Sequence, residues 1–145
     1  MTQILMHDDL PPEYAQTVFE SSLSAGECPE QFAIVTAYDS DGNSGARAEN
    51  QRRDRALREI LGSREESYSR VTGCSPDGSH REPGYAIQIT LDAAIALGRE
   101  LQQKAVFWIS NDQLSVVSCA THNSIVLGSF GARLRDGSDI EPREA

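Results

Sequence analysis

Residues 32–61 read FAIVTAY (32–38), DSDGNSG (39–45) and ARAENQRRDRALREIL (46–61). The first run is short, continuous and apolar, with Ile34 and Val35 at its centre. That pattern predicts a strand over 31–38 buried on both faces. The middle run is dense in Asp, Ser, Gly and Asn, which is loop chemistry. The third run predicts a helix over 45–61, capped by Asn43 or Ser44 and closed at Gly62. At about 100° per residue, Ala46, Asn50, Arg53, Leu57, Ile60 and Leu61 fall on one stripe. Asn50 and Arg53 are therefore polar residues on the inward side. Arg52, Arg55 and Arg58, interleaved with Glu49, Asp54 and Glu59, read as a solvated outer face.

The remaining segments group around this strand and helix. Pro11-Pro12 opens an N-terminal helix running to about Leu23. Residues 67–72 and 84–89 predict two strands, with the loop 73–83 between them holding a Pro-Asp-Gly turn. Thr90 caps a helix over 91–103. Residues 105–109 and 113–119 form a hairpin around Asn111-Asp112, and 125–130 adds a short strand. The expected fold is one α+β domain over residues 1–130. It has a mixed, largely antiparallel sheet with helices on one face, and a ferredoxin-like βαββαβ core. The N-terminal helix and the C-terminal hairpin flank that core. Residues 131–145 are expected to be a polar, flexible tail.

The chain has 145 residues, 39% of them hydrophobic, and a formal net charge of −9. The size fits one core. The charge disfavours nucleic acid and anionic membranes as partners. No apolar run reaches the roughly 18 residues of a membrane span. Three cysteines without C-x-x-C spacing point to free thiols in a reducing compartment, so a cytoplasmic location is expected.

Three places carry candidate chemistry. The Gly42-Asn43-Ser44-Gly45 turn into a helix N-terminus is an anion-site arrangement, because unpaired N–H groups and the helix dipole both favour negative charge. Asn50 and Arg53 lie on the inward stripe of that helix, and Thr36 at the strand end offers a hydroxyl. A buried guanidinium needs a partner. Arg53 pairs with an internal acid such as Glu82 and pins the fold, or anchors a ligand, or, if the helix starts elsewhere, is solvated. His80 and Glu82 lie two apart before Pro83-Gly84 and are the candidate acid–base pair. One His and one Glu are too few for a metal site, so none is expected. Cys119 reads as a packed thiol, and Cys74 as a more accessible one in a loop.

The segments FAIVTAYDSDGNSGARAENQRRDRALREIL, VTGCSPDGSHREPGYAI, ALGRELQQKAVFWI and LSVVSC occur here in that order. Together they resemble a family of short bacterial proteins designated domain of unknown function 3293, over about residues 32–119. Thr36-Ala37 with Asn50 and Arg53, His80 to Gly84, and Gln103 carry the resemblance most. It implies a small cytoplasmic bacterial protein and brings no activity, cofactor or catalytic residue.

Two functions compete on this reading. In the first, a pocket at the junction of strand 32–38 and helix 45–61 binds an anionic small molecule such as a nucleotide or phosphometabolite. Thr36, Gly42, Asn43, Ser44, Asn50 and Arg53 would hold it, with His80 and Glu82 available for proton transfer. In the second, the protein is a non-enzymatic module whose acidic surface or hairpin edge docks a protein partner. The residues identify no reaction and no cofactor.

Overall fold

The computed structural model describes residues 12–23, 25–38 and 47–136. Its strands are β1 (Val18–Ser21), β2 (Gln31–Thr36), β3 (Tyr68–Cys74), β4 (Arg81–Ile87), β5 (Ala105–Ser110), β6 (Gln113–Ser118), β7 (Ser124–Ser129) and β8 (Leu134–Asp136). Two helices, α1 (Arg47–Gly62) and α2 (Leu91–Glu100), join β2 to β3 and β4 to β5. All eight strands form one sheet in the order β7-β6-β5-β2-β4-β3-β1-β8. Every neighbouring pair is antiparallel except β1 with β8, so the α+β class and the mixed sheet hold.

The central run behaves as its composition predicts. Residues 32–35 of β2 are buried on both sides of the sheet. Ala33 and Val35 pack with Leu57 and Leu61 of α1 and with Ala94, Ile95 and Leu97 of α2. Phe32 and Ile34 face the other way, into a second core. This second core exists because the sheet curls. Phe19 of β1 meets Phe107 of β5 edge-on at 5.0 Å, although three strands lie between them in the sheet. Phe130 packs against both Phe19 and Phe32.

Several boundaries differ from expectation. The N-terminal helix reduces to a 3-10 turn, Pro12–Gln16, followed by β1. Thr17, Val18 and Phe19 favour a pleated surface, and pairing with β3 buries Phe19 completely. β4 begins at Arg81, so Glu82 and Pro83 belong to a strand, not a loop. Likewise Cys74 ends β3 and is buried. α2 stops at Glu100, short of the expected Gln103, because Gln102 turns left-handed (φ 61°) and the Gln103 N–H returns to the Gly98 carbonyl at 2.8 Å. Thr90 caps α2 as expected, accepting from the Ala93 N–H at 3.1 Å. The Asn111-Asp112 turn has positive φ at both positions, the geometry of a tight hairpin. Within the segment expected to be a loose tail, Gly131–Arg133 is a 3-10 turn and Leu134–Asp136 pairs in parallel with β1. No helix among the described residues is long and apolar enough to cross a membrane.

Arg133 spans the gap in the curl. Its guanidinium donates to the carbonyls of Ala15 (2.6 Å), Thr17 (3.1 Å) and Leu127 (3.0 Å), tying β7 to the segment before β1. Three carbonyls depend on one side chain, and hydrogen bonds to charged donors are the stronger kind. Arg133→Met is expected to lower stability by about 1–3 kcal/mol, measured as a shift in the urea midpoint. An unchanged midpoint would show that the strands hold the curl unaided.

Candidate functional site

The sequence-predicted residues separate into two groups. In the first, the Thr36 hydroxyl donates to the Pro83 carbonyl at 2.7 Å and accepts from the Tyr38 N–H at 3.1 Å. It locks the end of β2 to the start of β4. Arg53 donates to the Leu101 carbonyl at 2.8 Å. That carbonyl lies at the C-terminus of α2, where unpaired carbonyls and the helix dipole attract a cation. Its partner is thus a helix end and not Glu82. Nearby, the Gln103 amide donates to the Tyr38 carbonyl at 2.7 Å. Asn50 is half-buried on α1. Gly42, Asn43 and Ser44 lie outside the described residues.

The second group is His80 with Glu82, whose Nε2 and Oε2 are 2.9 Å apart. The His80 side chain is 57% exposed, so water screens the pair. Side-chain alternation fixes the faces. Tyr85 and Ile87 of β4 point to the helices, so Glu82 and Ala86 point to the curled side. By the same count Thr36 shares the side of Phe32 and Ile34. The structure therefore brings Thr36, His80 and Glu82 to one face of the sheet, and places Asn50 and Arg53 on the helix that covers the other.

Sequence reading missed two charged clusters on the helix side. Asp54, read as outward, is buried and accepts a two-pronged contact from Arg70 of β3 at 2.9 and 3.1 Å. Arg70 also stacks over Tyr85 at 4.8 Å, and the Arg58 side chain donates to the Tyr85 hydroxyl at 3.0 Å. Asp54 sits beside Leu61 on the helical wheel, so periodicity contained the signal. The other cluster joins Arg81 to the buried carboxylate of Glu20 at 2.7 Å, beside Cys74. Burial, and then the Glu20 charge, push the Cys74 thiol up to about 11. Burial also raises the Cys119 thiol. Neither is held as a thiolate near neutral pH, which removes both as activated nucleophiles. Among the described residues no group of three or more His, Cys, Asp or Glu could hold a metal ion.

The curled side opens at the end of the sheet opposite His80 and Glu82. There a cleft of about 240 Å³ lies between β2, β3, β4 and the turn before β2. Phe32, Val71, Ala86 and Phe130 supply its apolar surface. Ser67, Ser69 and Gln88 bring hydroxyl and amide groups, and Glu27 and Cys28 complete the wall. No motif marks it. The apolar residues come from segments distant in sequence: the pairing of β2, β4 and β3 sets Phe32, Ala86 and Val71 side by side, and Phe130 folds over onto Phe32.

Residues 35–106 match a family whose description is "protein of unknown function (DUF3293)". The matched stretch runs from the end of β2 to the start of β5. It contains Thr36, Asn50, Arg53, His80 and Glu82, and the β3 and β4 walls of the cleft. No curated protein and no solved structure matches the chain.

Proposed function

The chain belongs to the DUF3293 family, and from that premise we propose that it is a small-molecule-binding protein whose site is the cleft on the curled side of the sheet. The observation that carries this reading is the cleft itself: about 240 Å³, apolar within, with hydroxyl and amide groups along one wall. Ligand sites combine a concave apolar surface with a few fixed polar groups, and the mouths of curled or closed sheets are favoured places for them. The anionic ligand expected at the β2–α1 junction has less support, because Thr36 and Arg53 spend hydrogen bonds on main-chain carbonyls. We read the unit β2-α1-β3-β4-α2-β5 as a ferredoxin-like core. The strand order β5-β2-β4-β3, antiparallel throughout, supports it. The three free cysteines support a reducing, cytoplasmic setting.

Growing a side chain into the cleft tests the site. Ala86 is half-buried on its floor, and Ala86→Leu fills space there. In a thermal-shift screen of small apolar compounds, the parent protein is expected to gain about 2.7 kcal/mol at 100 times a ligand's Kd. Ala86→Leu is expected to keep its fold and lose at least about tenfold in affinity. Equal binding by the variant, or amide shifts confined to Thr36 and α1, would move the site away from the cleft.

A further inference from the structure

We propose that the cleft selects a cation: a primary or secondary ammonium group attached to a compact apolar body about the size of one aromatic ring. This rests on the cleft being the binding site. Among the described residues that line the cleft, Glu27 is the one formally charged side chain, and none is Lys or Arg. It ends the short turn Ala25–Glu27 and leads directly into the Cys28-Pro29 wall. A carboxylate so placed draws an ammonium to the mouth while the apolar body enters.

A second carboxylate reinforces the field. Asp112, on the β5–β6 turn, is bound by the Ser129 hydroxyl at 2.6 Å and the Gly131 N–H at 2.8 Å, which hold its pKa below the usual carboxylate range. It stays ionised and contributes charge at a distance. The Cys28 thiol registers both groups: burial raises its pKa most, followed by the charges of Glu27 and then Asp112. Glu27 and Asp112 thus both bring negative charge to bear on the wall of the cleft. The chain's net charge of −9 acts in the same direction over longer range.

The interior suits the rest of such a ligand. Phe32 and Phe130 meet edge-on with ring centres 5.4 Å apart. Ring faces attract a cation within about 6 Å, and ring edges pack against a second ring. Ser69 and Gln88 offer oxygens to the N–H groups of an ammonium. A dry cavity of about 150 Å³ holds benzene, so about 240 Å³ accommodates one ring with a short aminoalkyl arm.

Three probes of nearly equal shape separate the possibilities: 2-phenylethylamine, 2-phenylethanol and 3-phenylpropionate. Each is titrated into the full ¹⁵N-labelled chain, at low salt and at 0.5 M NaCl, following amide shifts. The amine is expected to shift Ser69, Val71 and Ala86 and to bind about fivefold more tightly than the alcohol at low salt. The carboxylate is expected to bind more weakly than either. High salt and Glu27→Gln are each expected to bring amine and alcohol to near parity. If the alcohol or carboxylate binds the cleft as well as the amine, or Glu27→Gln leaves the preference intact, cation selection is overturned and the cleft reading stands. If none of the three shifts a cleft amide, both are overturned.

Discussion

Arg70→Met is expected to lower the stability of the fold by about 3 kcal/mol. The residue it abandons is Asp54, whose side chain is only 8% exposed beneath α1. Both carboxylate oxygens are held by the Arg70 guanidinium, at 2.9 and 3.1 Å. Removing one partner of a buried pair costs about 3–5 kcal/mol, because the remaining charge has lost water without compensation. Two facts place the loss at the lower end. Arg70 is itself 27% exposed, and Arg58 approaches Asp54 to 3.9 Å. The loss also contains the packing of Arg70 over Tyr85. The double variant Asp54→Leu, Arg70→Met removes both charges and is expected to recover most of the stability. Urea midpoints of the parent, both single variants and the double variant give the coupling. A value of about 2 kcal/mol or more is expected. Additive losses would show that the pair is ornamental and that α1 is seated by Leu57 and Leu61 alone.

Gly84→Ala is the second large effect, and it acts through the backbone. A Cβ at position 84 would stand 2.6 Å from the Val35 carbonyl oxygen and 3.2 Å from the Thr36 Cβ. The obstructing atom belongs to β2, which pairs with β4 on one side and β5 on the other. Relief therefore requires β2 and β4 to separate, which also strains the Thr36 contact to Pro83. A loss of about 2–3 kcal/mol is expected, or about 8–12 °C in Tm at roughly 4 °C per kcal/mol. Gly26→Ala is the control, since nothing lies within 4 Å of its added Cβ and its φ is not left-handed. Similar falls for the two variants would refute the steric argument.

The parts of this fold that were legible in sequence are those specified by neighbouring residues. The apolar run 32–35, the periodic stripe of α1, the Thr90 cap and the Asn111-Asp112 turn each contain their own instruction. The parts that were not legible depend on distant partners. Val18 to Ser21 has helical spacing with what precedes it, yet the open edge of β3 decides its conformation. Leu134 to Asp136 looks polar and loose until β1 offers it an edge. Asp54 carries a charge that composition assigns to solvent, and only Arg70, on another element, makes its burial tolerable. The same division applies to the candidate site. Arg53 falls on the inward stripe of α1, and it does reach into the structure. Its partner is a main-chain carbonyl, and every residue has one, so sequence could not single out Leu101. The cleft draws on β2, β3, β4 and Phe130, and no window of sequence contains it.

The clasp made by Arg133 has a consequence for how the chain is made. Its bond to the Ala15 carbonyl joins residues 118 positions apart. At about 5–20 residues per second, the ribosome takes roughly 6–24 s to synthesise that interval. During that time the outer edge of β1 waits for β8, and Phe19 waits for Phe107 and Phe130. A nascent chain holding these groups uncovered exposes apolar side chains and an unpaired strand edge, the features that make folding intermediates prone to aggregate. Arg133 thus also closes the seam late: the seam can shut only after residue 133 has been synthesised.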